Sequence, residues 1–169
     1  PIHRIDRDTA GLVMFSLQPR TRDAYHALFR QRAVHKTYEA VAAWRSDLAL
    51  PLTRHSRIGP GSHFLQQCEQ AGEPNAQTQV QLLRHIGAQA LYRLHPLTGR
   101  RHQLRVHMTY IGCPILGDRV YGKSSDRLYL HATELELTIP GGDRVTFKSP
   151  VPPVFLEKFP GYDYESGTK

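Results

Sequence analysis

His3-Arg4-Ile5-Asp6-Arg7-Asp8-Thr9-Ala10-Gly11-Leu12 stands at the start of the chain and governs how the rest is read. Charges of alternating sign surround Asp6, and Thr9, Ala10 and Gly11 lead into the mostly apolar run Leu12 to Leu17. A carboxylate set between Arg4 and Arg7 is favoured in its charged form. Gly11 lets the backbone bend before residues 12–17, which read as a buried strand. Such a charged knot has two readings. One is a surface loop with local ion pairs, which contribute little. The other is a catalytic carboxylate presented beside basic groups that hold an anionic substrate.

Composition favours an acidic partner. The chain has 169 residues, enough for one domain with a real core, and a formal charge of +7. With a pI near 9.7, nucleic acid is the partner to expect. The mean hydropathy of -0.46 suits a soluble globular protein. Two cysteines, Cys68 and Cys113, lack metal-type spacing and read as reduced thiols of a cytoplasmic protein. No apolar stretch approaches the ~20 residues of a membrane span, and no signal peptide is visible. The chain begins at Pro1 and reads as part of a longer product.

The elements follow in order. Pro19 opens a predicted helix whose buried face is Ala24, Leu28 and Phe29, with Arg20, Arg22, Arg30 and Arg32 on its other faces. Those arginines suit either a solvated face or RNA phosphates. Lys36 to Trp44 alternates as a strand, with Tyr38 and Trp44 on one face. Between Leu48 and Glu73, Pro51, Gly59-Pro60-Gly61 and Gly72-Glu73-Pro74 mark turns among short strands. Ala76 to Leu83 and Ala88 to His95 form a predicted hairpin. Leu128 to Ile139 and Arg144 to Lys148 form another, followed by a short terminal helix or coil. Residues 1–160 are expected to be one domain and 161–169 a fraying tail.

A second stretch carries chemistry: Thr98-Gly99-Arg100-Arg101-His102-Gln103-Leu104-Arg105-Val106-His107. Thr98 is a good N-cap, Leu104, Met108 and Ile111 mark a buried helix face, and Gly112 ends the helix. Arg100, Arg101 and the first-turn N–H groups then form an anion site. Arg105 falls at the edge of the buried face, so it needs a carboxylate if it is buried, and Asp6 is the candidate. His102 and His107, five apart, fall on different sides of a helix, so no metal site is expected. No nucleophile-elbow serine, P-loop or dinucleotide fingerprint occurs.

Taken together, these motifs resemble the RluA-type pseudouridine synthases. His3-Arg4-Ile5-Asp6 with Thr9-Ala10-Gly11-Leu12 is similar to the family signature, with Ile5 in place of Leu and Ala10 in place of Ser. Lys36-Thr37-Tyr38 resembles the Lys-x-Tyr motif and Ala76-Gln77-Thr78 the Ala-x-Thr strand. Thr98 to His107 resembles the third motif, and Gly117-Asp118, Tyr121-Gly122 and Leu130-His131-Ala132 continue the match. The resemblance covers nearly the whole chain, and it makes Asp6 as catalytic carboxylate the favoured reading.

It implies an α+β fold: a mixed, mostly antiparallel central sheet with flanking helices and a central RNA-binding cleft. Family members ordinarily have further residues before the first motif, so the first strands of the fold are expected to be missing here. The implied reaction turns specific uridines of ribosomal or transfer RNA into pseudouridine, with no cofactor and no metal. Asp6 is the implied carboxylate at the sugar–base junction, Arg105 its partner, and Tyr38 the ring that stacks on the base. Leu104 walls the pocket against water, and Arg4 helps hold the flipped nucleotide. Lys36, Arg100 and Arg101 are implied phosphate contacts. The protein is expected to act as a cytoplasmic monomer away from membranes. The alternatives are a truncated or inactive relative that only binds RNA, and a nucleoside or glycoside hydrolase using Asp6.

Overall fold

Strand β2 (His35–Ala43) is the spine of the molecule. Its run Thr37 to Ala42 is buried on both faces, which requires a cover on each side of the sheet. The computed structural model describes residues 1–122 and 127–163. On one flank β2 pairs antiparallel with β6 (Gln89–Pro96), and on the other with β7 (Leu130–Thr138). Beyond β6 lie β5 (Ala76–Ile86), β3 (Leu52–Pro60) and β4 (Gln67–Gln70), each antiparallel to its neighbour. The outer edge of β7 is shared. A two-residue β1 (Ala10–Gly11) pairs parallel with His131 and Ala132, and β8 (Arg144–Lys148) pairs antiparallel with residues 134–138. This is the expected mixed, mostly antiparallel sheet.

The helices cover both faces. Tyr38, Ala40 and Ala42 of β2 join Ala90, Tyr92 and Leu94 of β6 under Leu104 and Met108 of α2 (Gln103–Tyr110). On the other face Val41 and Leu91 pack against Phe155 and Phe159 from α3 (Pro153–Lys158) and the segment after it. Tyr162, inside the stretch read as a tail, packs there too, whereas residues 164–169 lie outside the described residues. A short 3-10 turn (Pro19–Thr21) leads into α1 (Arg22–Arg30). Tyr25, Leu28 and Phe29 rest on Val34, Leu135 and Leu137. Ala24 is exposed instead, and Tyr25 takes the inward position.

Three expectations need correction. Residues 12–17 form no strand. Gly11, at φ +108°, passes so close to β7 that a Cβ there would lie 2.3 Å from the Ala132 carbonyl oxygen. Leu12 donates one more hydrogen bond to that oxygen, and β8 then occupies the rest of the β7 edge. Leu12 and Met14 pack sideways onto α1 instead. Gly59 and Pro60 lie within β3, and the chain turns after them at residues 61–66. Pro60 is tolerated because β3 at that point pairs only with the short edge strand β4. The first strand of the predicted hairpin runs on past Leu83 to Ile86, so that His85 and Ile86 are still paired and the chain turns at Gly87 and Ala88.

Candidate active site

The motifs lie far apart in sequence, and the sheet register brings them together. Ala10 pairs with His131, Tyr38 with Ala132 on one side and with Leu94 on the other. The turn holding Asp6, closed by the Thr9 N–H on the Asp6 carbonyl, therefore stands beside the Tyr38 end of β2. Together with the 96–104 segment these residues border an open cleft of about 680 Å³. All eight residues named for the site fall within reach of it. Asp6, Tyr38, Arg4, Lys36, Arg100, Arg101 and Leu104 line it, and Arg105 lies one layer below.

Arg105 is buried, but its principal partner is not Asp6. Its Nε and one terminal nitrogen each donate to Asp118 at 2.7 Å, a two-pronged pairing sealed from water. Asp6 approaches the other terminal nitrogen at 3.8 Å with 18% of its side chain exposed. One guanidinium thus serves two carboxylates, one closed in and one open to the cleft. Burial alone would raise the pKa of Asp118. The Arg105 guanidinium and the Val120 and Tyr121 N–H groups reverse that and hold it below the usual carboxylate value. Gly117, just before Asp118, lets the chain pass close to the 127–128 backbone: at φ +75° a Cβ there would meet the Arg127 carbonyl oxygen at 1.8 Å.

Asp118 also orders what lies around Arg105. Tyr121, positioned by its N–H bond to Asp118, lies under the guanidinium with the ring centroid 5.2 Å away. Its hydroxyl meets His102 Nδ1 at 2.8 Å and accepts the Gln67 N–H. The Gly117-Asp118 and Tyr121-Gly122 motifs were visible in the sequence. The bidentate pairing was not, since nothing in the spacing ranks Asp118 above Asp6 as partner of Arg105.

Thr98 does not cap α2. The helix begins at Gln103, after His102 in the left-handed region at φ 55°. Its start is organised by the buried Gln103 amide, whose hydrogen-bonding capacity is filled. The oxygen accepts from the Thr98 hydroxyl and the Arg100 N–H, and the nitrogen donates to the Gln77 carbonyl and the Thr78 hydroxyl. Thr98 Oγ1 accepts the Gln77 N–H in turn. The expected anion site of free first-turn N–H groups is therefore absent at residue 100. Arg100 and Arg101 ride on a rigid turn before the helix, exposed along the cleft.

Lys36 anchors the same turn, donating to the Thr98 carbonyl at 2.9 Å. Burial lowers its pKa to about 8. Tyr38 is pushed the other way, up to about 12, first by burial and then by the Asp6 charge. Its phenol is neutral at physiological pH. Among the described residues bordering the cleft, Asp6 is the one carboxylate, facing Arg4, Arg30, Arg32, Lys36, Arg100 and Arg101. Arg30 ends α1 and Arg32 follows its C-cap; the sequence reading left both open between a solvated face and RNA phosphates. Among the described residues no cluster of His, Cys, Asp or Glu is arranged to hold a metal, and no helix is long and apolar enough to cross a membrane.

Comparison with known proteins bears on the chain as a whole. The profile of a family described as RNA pseudouridylate synthase matches residues 1–110. The chain is 38% identical over 154 residues to the dual-specificity RNA pseudouridine synthase RluA of Vibrio vulnificus, covering 82% of this chain and 60% of that protein. It is 35% identical over 158 residues to the protein of that name from Escherichia coli K12, covering 88% and 72%. The solved structure of human RNA pseudouridylate synthase domain containing 1 superposes with a TM-score of 0.79 at 28% identity, over 89% of this chain and 68% of that one. The chain thus spans 60% of the length of the Vibrio relative. A lone cleft carboxylate above a buried arginine, the ordered motifs and these similarities lead to one assignment: the chain belongs to the RluA-type family of RNA pseudouridine synthases.

Proposed function

We propose that the protein converts uridine to pseudouridine in structured RNA, ribosomal or transfer, with Asp6 as the catalytic carboxylate. One observation carries the reading: among the described residues a single carboxylate faces a basic cleft, beside a neutral tyrosine. In this isomerisation the bond from ribose C1′ to uracil N1 breaks, the base turns while still held, and C5 bonds to C1′. The proton lost from C5 is balanced by the one gained at N1, so no oxidant, reductant or energy source enters. Asp6 sets its negative charge against C1′ as that carbon becomes electron-poor. Arg105 orients Asp6 from below, and because Asp118 already neutralises Arg105, the Asp6 carboxylate keeps its charge for the substrate.

Tyr38 offers an uncharged ring to the loosened base, a stack worth about 1–3 kcal/mol, and a hydroxyl still able to donate. Leu104 closes the apolar wall that keeps water from C1′. Arg4, Arg100, Arg101 and Lys36 hold the RNA, largely through phosphates. Hydrolysis of a glycosidic bond ordinarily employs two carboxylates across the sugar. Here Asp118 is sealed against Arg105, and Asp8, the near companion of Asp6 in sequence, is not among the described residues that line the cleft.

Mapping pseudouridine in cellular RNA with and without the full-length gene tests the proposal. Loss of one or a few specific sites on deletion, restored by the gene, is the expected result. An unchanged map together with retained RNA binding would favour a relative that only binds RNA.

A further inference from the structure

The end of α1 stores backbone strain at the edge of the cleft. The helix closes with a Schellman motif: the Ala33 N–H bonds to the Leu28 carbonyl and the Arg32 N–H to the Phe29 carbonyl. That motif puts residue 32 in the left-handed region, at φ 59°, where glycine is the default. The chain carries an arginine there, and among the described residues its guanidinium has no hydrogen-bond or ion-pair partner. A cation at a helix C-terminus gains a little from the helix dipole, but a lysine or arginine in the last helical turn gains the same without the strain. Arg30, in that last turn, already supplies one, although it is paired with Asp23.

The position of Arg32 is fixed relative to Asp6. Phe29, one turn earlier, stacks on the His3 ring at 4.7 Å between centroids and 15° between planes. His3 Nε2 accepts the Met14 N–H, and the Ile2 N–H bonds to the Met14 carbonyl, so the segment leading to Asp6 is tied to the α1 terminus. Phe29, Arg32 and Asp6 all line one cleft.

We propose that Arg32 is a substrate-binding residue that contacts a phosphate of the RNA strand beside the nucleotide held over Asp6. The strained backbone at the helix end aims an unpaired, permanently charged group across the cleft, and α1 becomes a second wall of the RNA site. The inference rests on the reading of the cleft as an RNA site, but it concerns binding and is tested apart from turnover.

The test measures the affinity of the full-length protein for a short RNA hairpin with uridines in its loop, as a function of salt, alongside thermal melting. The variants are Arg32→Lys, Arg32→Gln and Arg32→Gly. Losing one phosphate contact should reduce the slope of log affinity against log salt by about 0.7–0.9, and weaken binding about five- to eightfold at ~0.1 M salt. Arg32→Gln and Arg32→Gly should both show that loss, with Arg32→Lys near wild type. Arg32→Gly should melt no lower than Arg32→Gln, because glycine relieves the left-handed strain. A wild-type slope and affinity in Arg32→Gln and Arg32→Gly, with melting alone altered, would make Arg32 a helix terminator and overturn the proposal. A salt slope that responds to Arg32 in a protein that forms no pseudouridine would sink the proposed activity and leave this inference standing. Wild-type protein that fails to bind the hairpin at low salt would overturn both.

Discussion

Two guanidinium–carboxylate clusters lie on opposite faces of β2, and they are put to different uses. On the α3 face Glu39 is sealed, bonded to Arg93 at 3.1 Å and to the Tyr162 hydroxyl at 2.5 Å. Every group in it belongs to the fold, and Tyr162 closes it from the far end of the chain. On the α2 face Arg105 divides its attention. Asp118 takes two short bonds in the interior, and Asp6 takes one long contact at the cleft. The contrast separates a carboxylate that serves as a brace from one that is held in place yet remains available. Burial and hydrogen-bond count decide between them, since both clusters pair a carboxylate with a guanidinium.

The largest expected effect on the fold comes from Asp118. Asp118→Asn leaves a buried guanidinium with only the distant Asp6, a loss of about 3–5 kcal/mol. Chemical denaturation should register it as a clear fall in midpoint, and turnover should fall as well because Asp6 is drawn towards Arg105. Unchanged stability would mean that the internal pairing is not the brace described here. Glu39→Gln should cost less, about 1–3 kcal/mol, because Arg93 is one-fifth exposed and can turn to water. Its turnover at a temperature well below melting should stay at the wild-type level. A large loss of activity without a loss of stability would break the distinction between the two faces.

A smaller effect comes from acid. His107 lies wholly buried between the Ser56 and Thr78 hydroxyls, and burial lowers its pKa from 6.5 to about 4. The unfolded chain therefore takes up this proton first. The stability that His107 contributes is complete above about pH 6.5 and is lost as the pH falls from there towards about 4. Melting temperatures across that range should decline, and His107→Gln should flatten the decline. An equal slope in both proteins would assign the acid sensitivity to other groups.

Much of the site was legible in the sequence because its residues sit in short motifs on regular elements. Pattern alone left Asp6 as either a surface ion pair or a catalytic carboxylate and Tyr38 as a strand residue; the family resemblance carried by those motifs is what singled out Asp6, Tyr38 and Arg105. What stayed hidden depended on contacts across the fold. Thr98 has the chemistry of a cap, but the Gln103 amide reaches back to claim it, and that requires Gln77 and Thr78 on a neighbouring strand. Residues 12–17 have strand composition, yet β8 takes the edge they would have used. Arg32 was open to a solvated face or an RNA phosphate on the same terms as Arg20, Arg22 and Arg30, because a left-handed backbone angle leaves no trace in composition.

Asp6→Asn, measured for pseudouridine formation, RNA affinity and melting on one RNA and one protein preparation, tests the central claim most directly. The change is nearly isosteric, and Asp118 continues to neutralise Arg105. Melting should shift little. RNA affinity should hold or rise slightly as the cleft loses its one carboxylate. Pseudouridine formation should vanish, because no other acid among the described residues lines the cleft. Turnover that survives in Asp6→Asn would contradict the account, and loss of folding together with binding would make Asp6 a structural residue like Asp118.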